Sequence, residues 1–270
     1  MTYAHRMSNT QPAITYTSYL KIEEILQLQQ PLSDGPEHDE LLFIIIHQSY
    51  ELWFKSIHHE IARAQIVLET GDTHTALGLL GRVRTIMKVL VSQVDILETM
   101  TPLQFNSFRD RLEAASGFQS AQFRELEAVF GRRDTGMIDH LPTGDQRDRV
   151  SAAMNRRSLW DSVLKYLVVR GHQVPDATIN RDMTIEYVAN KDVQRVIANA
   201  YRSDPETALL LERLVDIDEG LQEWRYRHVK MVERTIGHKI GSGGSSGASY
   251  LASTLFKPVF PDLWDVRSTF

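Results

Sequence analysis

An all-α fold follows from three features of this 270-residue chain. Apolar residues recur at spacings of three and four over long stretches, as one face of a helix requires. Alternating runs of Val, Ile and Thr are almost missing, and no Asn-Gly or Asp-Gly turn sits between such runs. Neither a convincing linker nor a repeat of fixed period interrupts the pattern. The expected architecture is therefore a single all-α domain over residues 1–270, a helical bundle with additional helices.

Residues 1–13 are polar and carry Pro12, which predicts an extended N-terminal arm. Tyr19, Leu20, Ile22, Ile25 and Leu26 predict a helix from Thr17 to Gln30, stopped by PLSDGP at 31–36. Glu37 to Glu69 reads as one long helix. Its stripe of Phe43, His47, Tyr50, Phe54, Ile57 and Ile61 steps alternately by four and three. Gly71 ends it, and Asp72 can cap the next helix. That helix runs from Thr75 to Met100 on Leu79, Val83, Ile86, Leu90, Val94 and Leu97. Thr101-Pro102 opens another, with proline in the first helical position. It extends to about Ala115, Ser116-Gly117 interrupts it, and Phe118 to Phe130 continues helical. Gly131 to Asp148 reads as a polar connection, Val150 to Val169 as a helix, Gly171 to Asp182 as a loop and Thr184 to Tyr201 as a helix. Asp204-Pro205 starts the last long helix, whose stripe is Leu210, Leu214, Ile217, Leu221, Trp224, His228 and Met231.

Composition narrows the function. A chain with 42% hydrophobic and 24% charged residues is ordinary for a globular protein. Its net charge of -5 offers no basic excess for nucleic acid or an anionic membrane. Cysteine is absent, which removes disulfides, zinc–thiolate sites, iron–sulfur clusters and thiol catalysis. Any metal must then be held by histidine or carboxylate. The N-terminus has no apolar signal-like region, and the longest apolar run, Leu41 to Ile46, is too short to span a bilayer. A cytoplasmic protein is expected.

His47 and His228 each sit in the middle of an apolar helical stripe. Singly, each reads as a core histidine with one satisfied hydrogen bond. Together, two imidazoles aimed into the core of a cysteine-free helical protein are what a haem pocket needs, one as axial ligand and one facing the distal side. A carboxylate di-iron site is excluded, because no Glu has a His three residues later. The stretch His59-Glu60-Ile61-Ala62-Arg63 lacks the second histidine of a zincin helix, and His58 and His59 are expected on a solvated flank. The loop Gly241 to Gly247, GSGGSSG, reads either as a surface connection or as a backbone-rich clasp for a polar ligand. Arg109 reads as a surface ion pair or, pointing inward, as a bidentate grip on a carboxylate. Tyr16 and Tyr19 open the first helix, where tyrosines more often pack than bind.

Six further stretches carry a resemblance: YTSYL at 16–20, DELLFIIIHQSYELWFK at 39–55, LETMTPLQFNSFR at 97–109, ASGFQSAQFRELE at 115–127, WRYRHVKMVERTIGHK at 224–239 and GSGGSSGASYL at 241–251, with FPDLWDVR at 260–267 as a C-terminal segment. In order and over nearly the whole chain, they resemble the haem enzymes of the tryptophan 2,3-dioxygenase family. The resemblance implies haem in the core, one haem b per subunit and iron(II) in the active form. It implies His228 as the proximal iron ligand and His47 as the distal histidine facing the substrate indole N–H. Phe43 would wall the indole, Arg109 would bind the substrate carboxylate, and Ser116 and Gly117 would lie close to the haem. Gly241 and Ser242 would close over the amino-acid end of the substrate. The family is a homotetramer whose N-terminal segment reaches a neighbour's site, so Tyr16 and Tyr19 would complete a pocket across the interface. The implied reaction opens the indole C2–C3 bond of L-tryptophan with O2 to give N-formyl-L-kynurenine. One departure stands out: the family loop usually reads GTGGSSG, and here its Thr position is Ser242. The hydroxyl survives, but the methyl that restricts its rotamer is lost. A relative oxygenating a modified tryptophan is thus the second reading, and a non-catalytic haem-binding protein the third.

Overall fold

The computed structural model describes residues 13–33, 35, 37–112, 117–139, 141–237, 239 and 248–270. Every regular element among them is helical: α1 Tyr16–Leu20, α2 Ile22–Ile25, α3 Asp39–Glu69, α4 Thr73–Leu97, α5 Pro102–Arg109, α6 Ala121–Phe130, α7 Gly136–Asp139, α8 Asp145–Met154, α9 Leu159–Val169, α10 Asp176–Ile179, α11 Lys191–Ser203, α12 Pro205–Ile236, α13 Ala248–Ala252 and α14 Pro261–Asp265, with short 3-10 turns at 110–112, 117–119 and 266–269. All-α is therefore the observed class. The arm expected at 1–13 lies outside the described residues except for its last position.

The long helices match the stripes. Ile57, Ile61, Val83, Leu90, Leu210, Leu214 and Ile217 are fully buried or nearly so, and the buried apolar residues form one contiguous cluster. The shorter elements differ from expectation for local reasons. The helix expected over 17–30 is two short turns, because Lys21 adopts the left-handed conformation (φ 57°) and ends α1. The helix expected over 150–169 is broken. Ser158 starts α9 with a capping box, its hydroxyl accepting from Asp161 N at 3.2 Å while the Asp161 carboxylate accepts from Ser158 N at 2.8 Å. The helix expected from Thr184 begins only at Lys191, where the Asn190 side chain accepts from the first free N–H groups. The polar connection at 131–148 holds α7 and the first turn of α8, and the loop at 171–182 holds α10.

Helix α4 is the spine of the bundle. Both α3 and α12 pack along it rather than extensively on each other, α9 lies on α3, and α8 lies on α6. Two devices fix α12. Asp218, fully buried, accepts from Val259 N and Phe260 N at 3.0 Å and from Trp264 Nε1 at 2.9 Å, which ties the C-terminal segment to the helix. Near the other end, Arg227 binds Asp95 and Glu98, and Arg234 donates to Glu98 at 2.9 Å, locking α12 onto the end of α4. Among the described residues, no helix is long and apolar enough to cross a membrane.

Candidate active site

Because α3 and α12 are held apart by α4, a cavity of about 520 Å³ opens between them. That volume is within the range of small-molecule sites. Aromatic rings supply much of the wall: Phe43, Tyr50 and Phe54 from α3, Phe105 from α5, Phe123 from α6 and Trp224 from α12.

His228 lines this cavity one turn after Trp224, against whose ring it stacks (centroids 5.3 Å apart, planes at 20°). Its ring makes no hydrogen bond among the described residues. Burial, together with the nearby His47 and Arg124, pulls its pKa down to about 4. At neutral pH it is thus an uncharged imidazole with a free lone pair, the state a metal ligand needs.

His47 lines the same cavity from α3. Its Nδ1 lies 2.7 Å from the carbonyl oxygen of Phe43, one turn earlier. A carbonyl only accepts, so Nδ1 carries the proton and Nε2 is left as an acceptor. Burial outweighs the opposing pull of the Phe43 carbonyl and of Glu51, and holds this ring below the ordinary histidine value. The Phe43 ring stands 4.0 Å from the His47 ring and is braced by Phe105 and Phe108 at 5.9 and 5.6 Å.

These pKa directions carry a sign. The folded pKa of His228 lies below the ordinary 6.5, so on acidification the unfolded chain takes up its proton first. The corresponding stability is fully present above pH 6.5 and is lost between pH 6.5 and about 4. We expect the Tm of the haem-free protein to fall across that window, and to fall less steeply in His228→Ala. Equal slopes in thermal melts of the two proteins would contradict a neutral His228 with a lowered pKa.

Arg109, the last residue of α5, is half-buried and lines the cavity, and so does Gly117 at the start of the 3-10 turn before α6. The structure thus brings Phe43, His47, Arg109, Gly117 and His228 to one cavity. Ser116, Gly241 and Ser242 lie outside the described residues, as does the whole loop at 241–247. Tyr16 and Tyr19 are not in this cavity; they are 75% and 74% exposed. Of the two flank histidines, His59 is exposed, while His58 is half-buried with Nε2 2.9 Å from the Gln122 carbonyl oxygen.

Three features of the cavity were not anticipated from sequence. Glu51, one turn beyond His47, accepts from Ser120 Oγ at 2.5 Å and Gln122 Nε2 at 2.7 Å, joining α3 to the start of α6. The Trp224 indole Nε1 is buried and meets no acceptor at hydrogen-bonding geometry among the described residues. Lastly, Arg124, Glu127 and Arg225 form a buried charged wall. Glu127 Oε2 accepts from Arg124 at 2.6 Å, and Oε1 accepts from Arg132 at 2.9 Å and Arg225 at 3.0 Å. Burial pushes the Glu127 carboxyl up, but the three guanidiniums prevail and hold it below the usual carboxylate range. A signal for this wall exists: in AQFRELEAVF, Glu127 falls four after Phe123 and three before Phe130, on the apolar face.

Among the described residues, no group of three or more His, Asp or Glu could hold a metal ion. The arrangement suits a metal bound through one protein nitrogen, its remaining ligands coming from a macrocycle. An orphaned indole N–H and a guanidinium-rich wall suit acidic substituents on that macrocycle.

Comparison with known sequences gives the same direction. The sequence profile described as tryptophan 2,3-dioxygenase matches residues 2–142 and 196–270, and every residue lining the cavity falls inside these two segments. A tryptophan 2,3-dioxygenase of Herpetosiphon aurantiacus is 55% identical over 256 residues, covering 95% of this chain and 98% of its own. One from an Anaeromyxobacter species is 57% identical, covering 94% and 96%, and one from Caulobacter vibrioides is 44% identical, covering 94% and 98%. The chain belongs to the tryptophan 2,3-dioxygenase family.

Proposed function

We propose that this chain is a haem-dependent dioxygenase that opens the indole C2–C3 bond of L-tryptophan with O2 to give N-formyl-L-kynurenine, the first step of tryptophan catabolism. The observation that carries the reading is the pairing of a neutral His228, without a hydrogen bond among the described residues, with a tautomer-fixed His47 on the walls of one cavity. His228 would hold the iron of haem b, one per subunit. Trp224 Nε1, Arg124 and Arg225 would meet the carboxylates of the porphyrin. When bound, ferrous haem supplies the oxygen chemistry, and both oxygen atoms enter the product.

The chain's own residues do the rest. Arg109 would take the substrate carboxylate, with Ser242 and Gly241 at its amino-acid end and Ser116 and Gly117 at the haem edge. Phe43 would pack against the indole, held in place by its tilted ring contacts with His47 and Phe105. The donated Nδ1 proton of His47 leaves Nε2 to accept from the indole N–H, which sets the ring's orientation. The apolar walls exclude water from the reacting bond. The subunit is read as one domain, cytoplasmic, and assembled as a homotetramer. The exposure of Ile14, Tyr16, Tyr19 and Leu26 supports an N-terminal segment that is covered by a neighbouring subunit, where Tyr16 and Tyr19 would close the pocket.

A relative specialised for modified tryptophans is not favoured, since relatives at 55–57% identity over nearly the whole chain are tryptophan 2,3-dioxygenases. His47→Ala should retain haem yet lower kcat/KM for L-tryptophan by about 10- to 100-fold, as loss of one buried hydrogen bond of 1–3 kcal/mol predicts. N1-methyltryptophan has no N–H to donate, so the variant should lose much less on it. An equal loss on both substrates would mean that His47 does not read the indole N–H.

A further inference from the structure

We infer that Glu127 is a positioning residue that sets the electrostatic field on the haem iron by holding two cavity-wall guanidiniums and opposing their charge. The inference rests on the haem reading above. Glu127 is 2% exposed, in the middle of α6, and lines the cavity. It takes one guanidinium from its own helix, Arg124, and one from α12, Arg225, which lies one turn before His228. A third, Arg132, binds it from just beyond α6 and does not line the cavity. Arg132 also reaches Asp134, at the surface.

Such an arrangement is costly by itself, since buried charges lose their hydration and removing one partner leaves the others uncompensated. Packing alone is served as well by apolar side chains. What the cluster does is fix charge on the wall of the cavity that His228 also lines. Arg124, Glu127 and Arg225 line the same cavity as His228, and Arg225 stands one turn before it on α12, so the charges of this wall face the space the iron would occupy. Arg225 is further held by donating to the Lys257 carbonyl oxygen at 3.2 Å, and cannot swing to the opposite side without breaking both contacts. Arg124, Arg132 and Arg225 all bind Glu127, and Arg132 also binds Asp134. Glu127 is the carboxylate common to all three guanidiniums, so its charge adds to that of the porphyrin carboxylates in setting the balance at the iron.

The test is the ferric/ferrous midpoint potential of haem-loaded protein, measured by spectroelectrochemistry. Glu127→Gln keeps the size of the side chain and removes its charge, so reduction becomes easier. The ferrous-to-ferric ratio at fixed applied potential should rise about tenfold, about 59 mV for a one-electron couple. Arg132→Gln removes positive charge from outside the cavity and should move the midpoint the other way. Opposite signs are what a purely structural role does not produce. If Glu127→Gln does not fold, the sign of the Arg132→Gln shift decides alone: a negative shift supports the inference and any other result overturns it. Two variants that both keep the wild-type midpoint, or shift it the same way, overturn the role of Glu127 while the haem reading stands. Wild-type protein that shows no Soret band after loading overturns the haem reading and this inference with it.

Discussion

His228→Ala is expected to abolish stable haem binding while leaving the fold intact. Among the described residues, the His228 ring has no hydrogen bond on either nitrogen, and it is neutral at physiological pH. Alanine supplies no ligand, and the only other histidine lining the cavity among the described residues is His47, on the α3 side, whose Nδ1 is committed to Phe43. The apo fold should tolerate the change. The ring borders open cavity space and is half-buried, and α12 is held by hydrogen bonds of Asp218, Arg227 and Arg234 that do not involve the imidazole. Two readouts separate these effects. Loading with hemin should give the wild type a Soret band and a higher Tm, since a ligand at 100 times its Kd adds about 2.7 kcal/mol. The variant should gain neither, yet keep its helical circular dichroism. A normal five-coordinate ferrous spectrum in His228→Ala would remove His228 from its role.

Arg109 should have the next largest effect. A carboxylate gripped by a guanidinium in a largely apolar cavity loses about 2–5 kcal/mol when the guanidinium is truncated, or about 30- to 5,000-fold in kcat/KM. Arg109→Leu is expected in that range. Arg109→Lys keeps the charge without the planar fork, so it should raise KM by about tenfold. Tryptamine, which lacks the carboxylate, supplies the coupling test: wild type should discriminate strongly against it, and the Arg109→Leu variant should barely do so. An unchanged KM in Arg109→Lys, or undiminished discrimination in Arg109→Leu, would count against the assignment.

How the sequence foretold the structure depends on the range of the interaction that decides each element. α3, α4 and α12 are set by one-sided burial along many turns, and their stripes of fours and threes are visible without any partner. The breaks are set by single residues. Lys21 splits a helix by taking φ 57°, and Ser158 and Asn190 restart helices through hydrogen bonds that compete with a continuing pattern. Both caps are legible afterwards, as Ser-x-x-Asp and as Asn before an amphipathic run, but apolar periodicity on either side masks them.

The site divides in the same way. His47, His228 and Phe43 were visible as members of stripes, and Arg109 as a lone cation on an apolar helix. That they share one cavity is a tertiary fact, created by α4 standing between α3 and α12. The charged wall was harder. Arg124 and Arg225 look like ordinary surface charges on amphipathic helices, Glu127 alone carries a hint in its place on the apolar face, and only the packing of α6 near α12 makes them buried partners. Glu51 escaped for the same reason, because its partners Ser120 and Gln122 are about 70 residues away.

The most direct test of the central claim is isotopic. Haem-loaded protein is reduced anaerobically, mixed with L-tryptophan and exposed to 18O2, and the product is analysed by mass spectrometry. The proposed reaction gives N-formyl-L-kynurenine carrying two labelled oxygen atoms. An oxindole or hydroxylated product with a single label, or no product from protein with an intact ferrous Soret band, would contradict it.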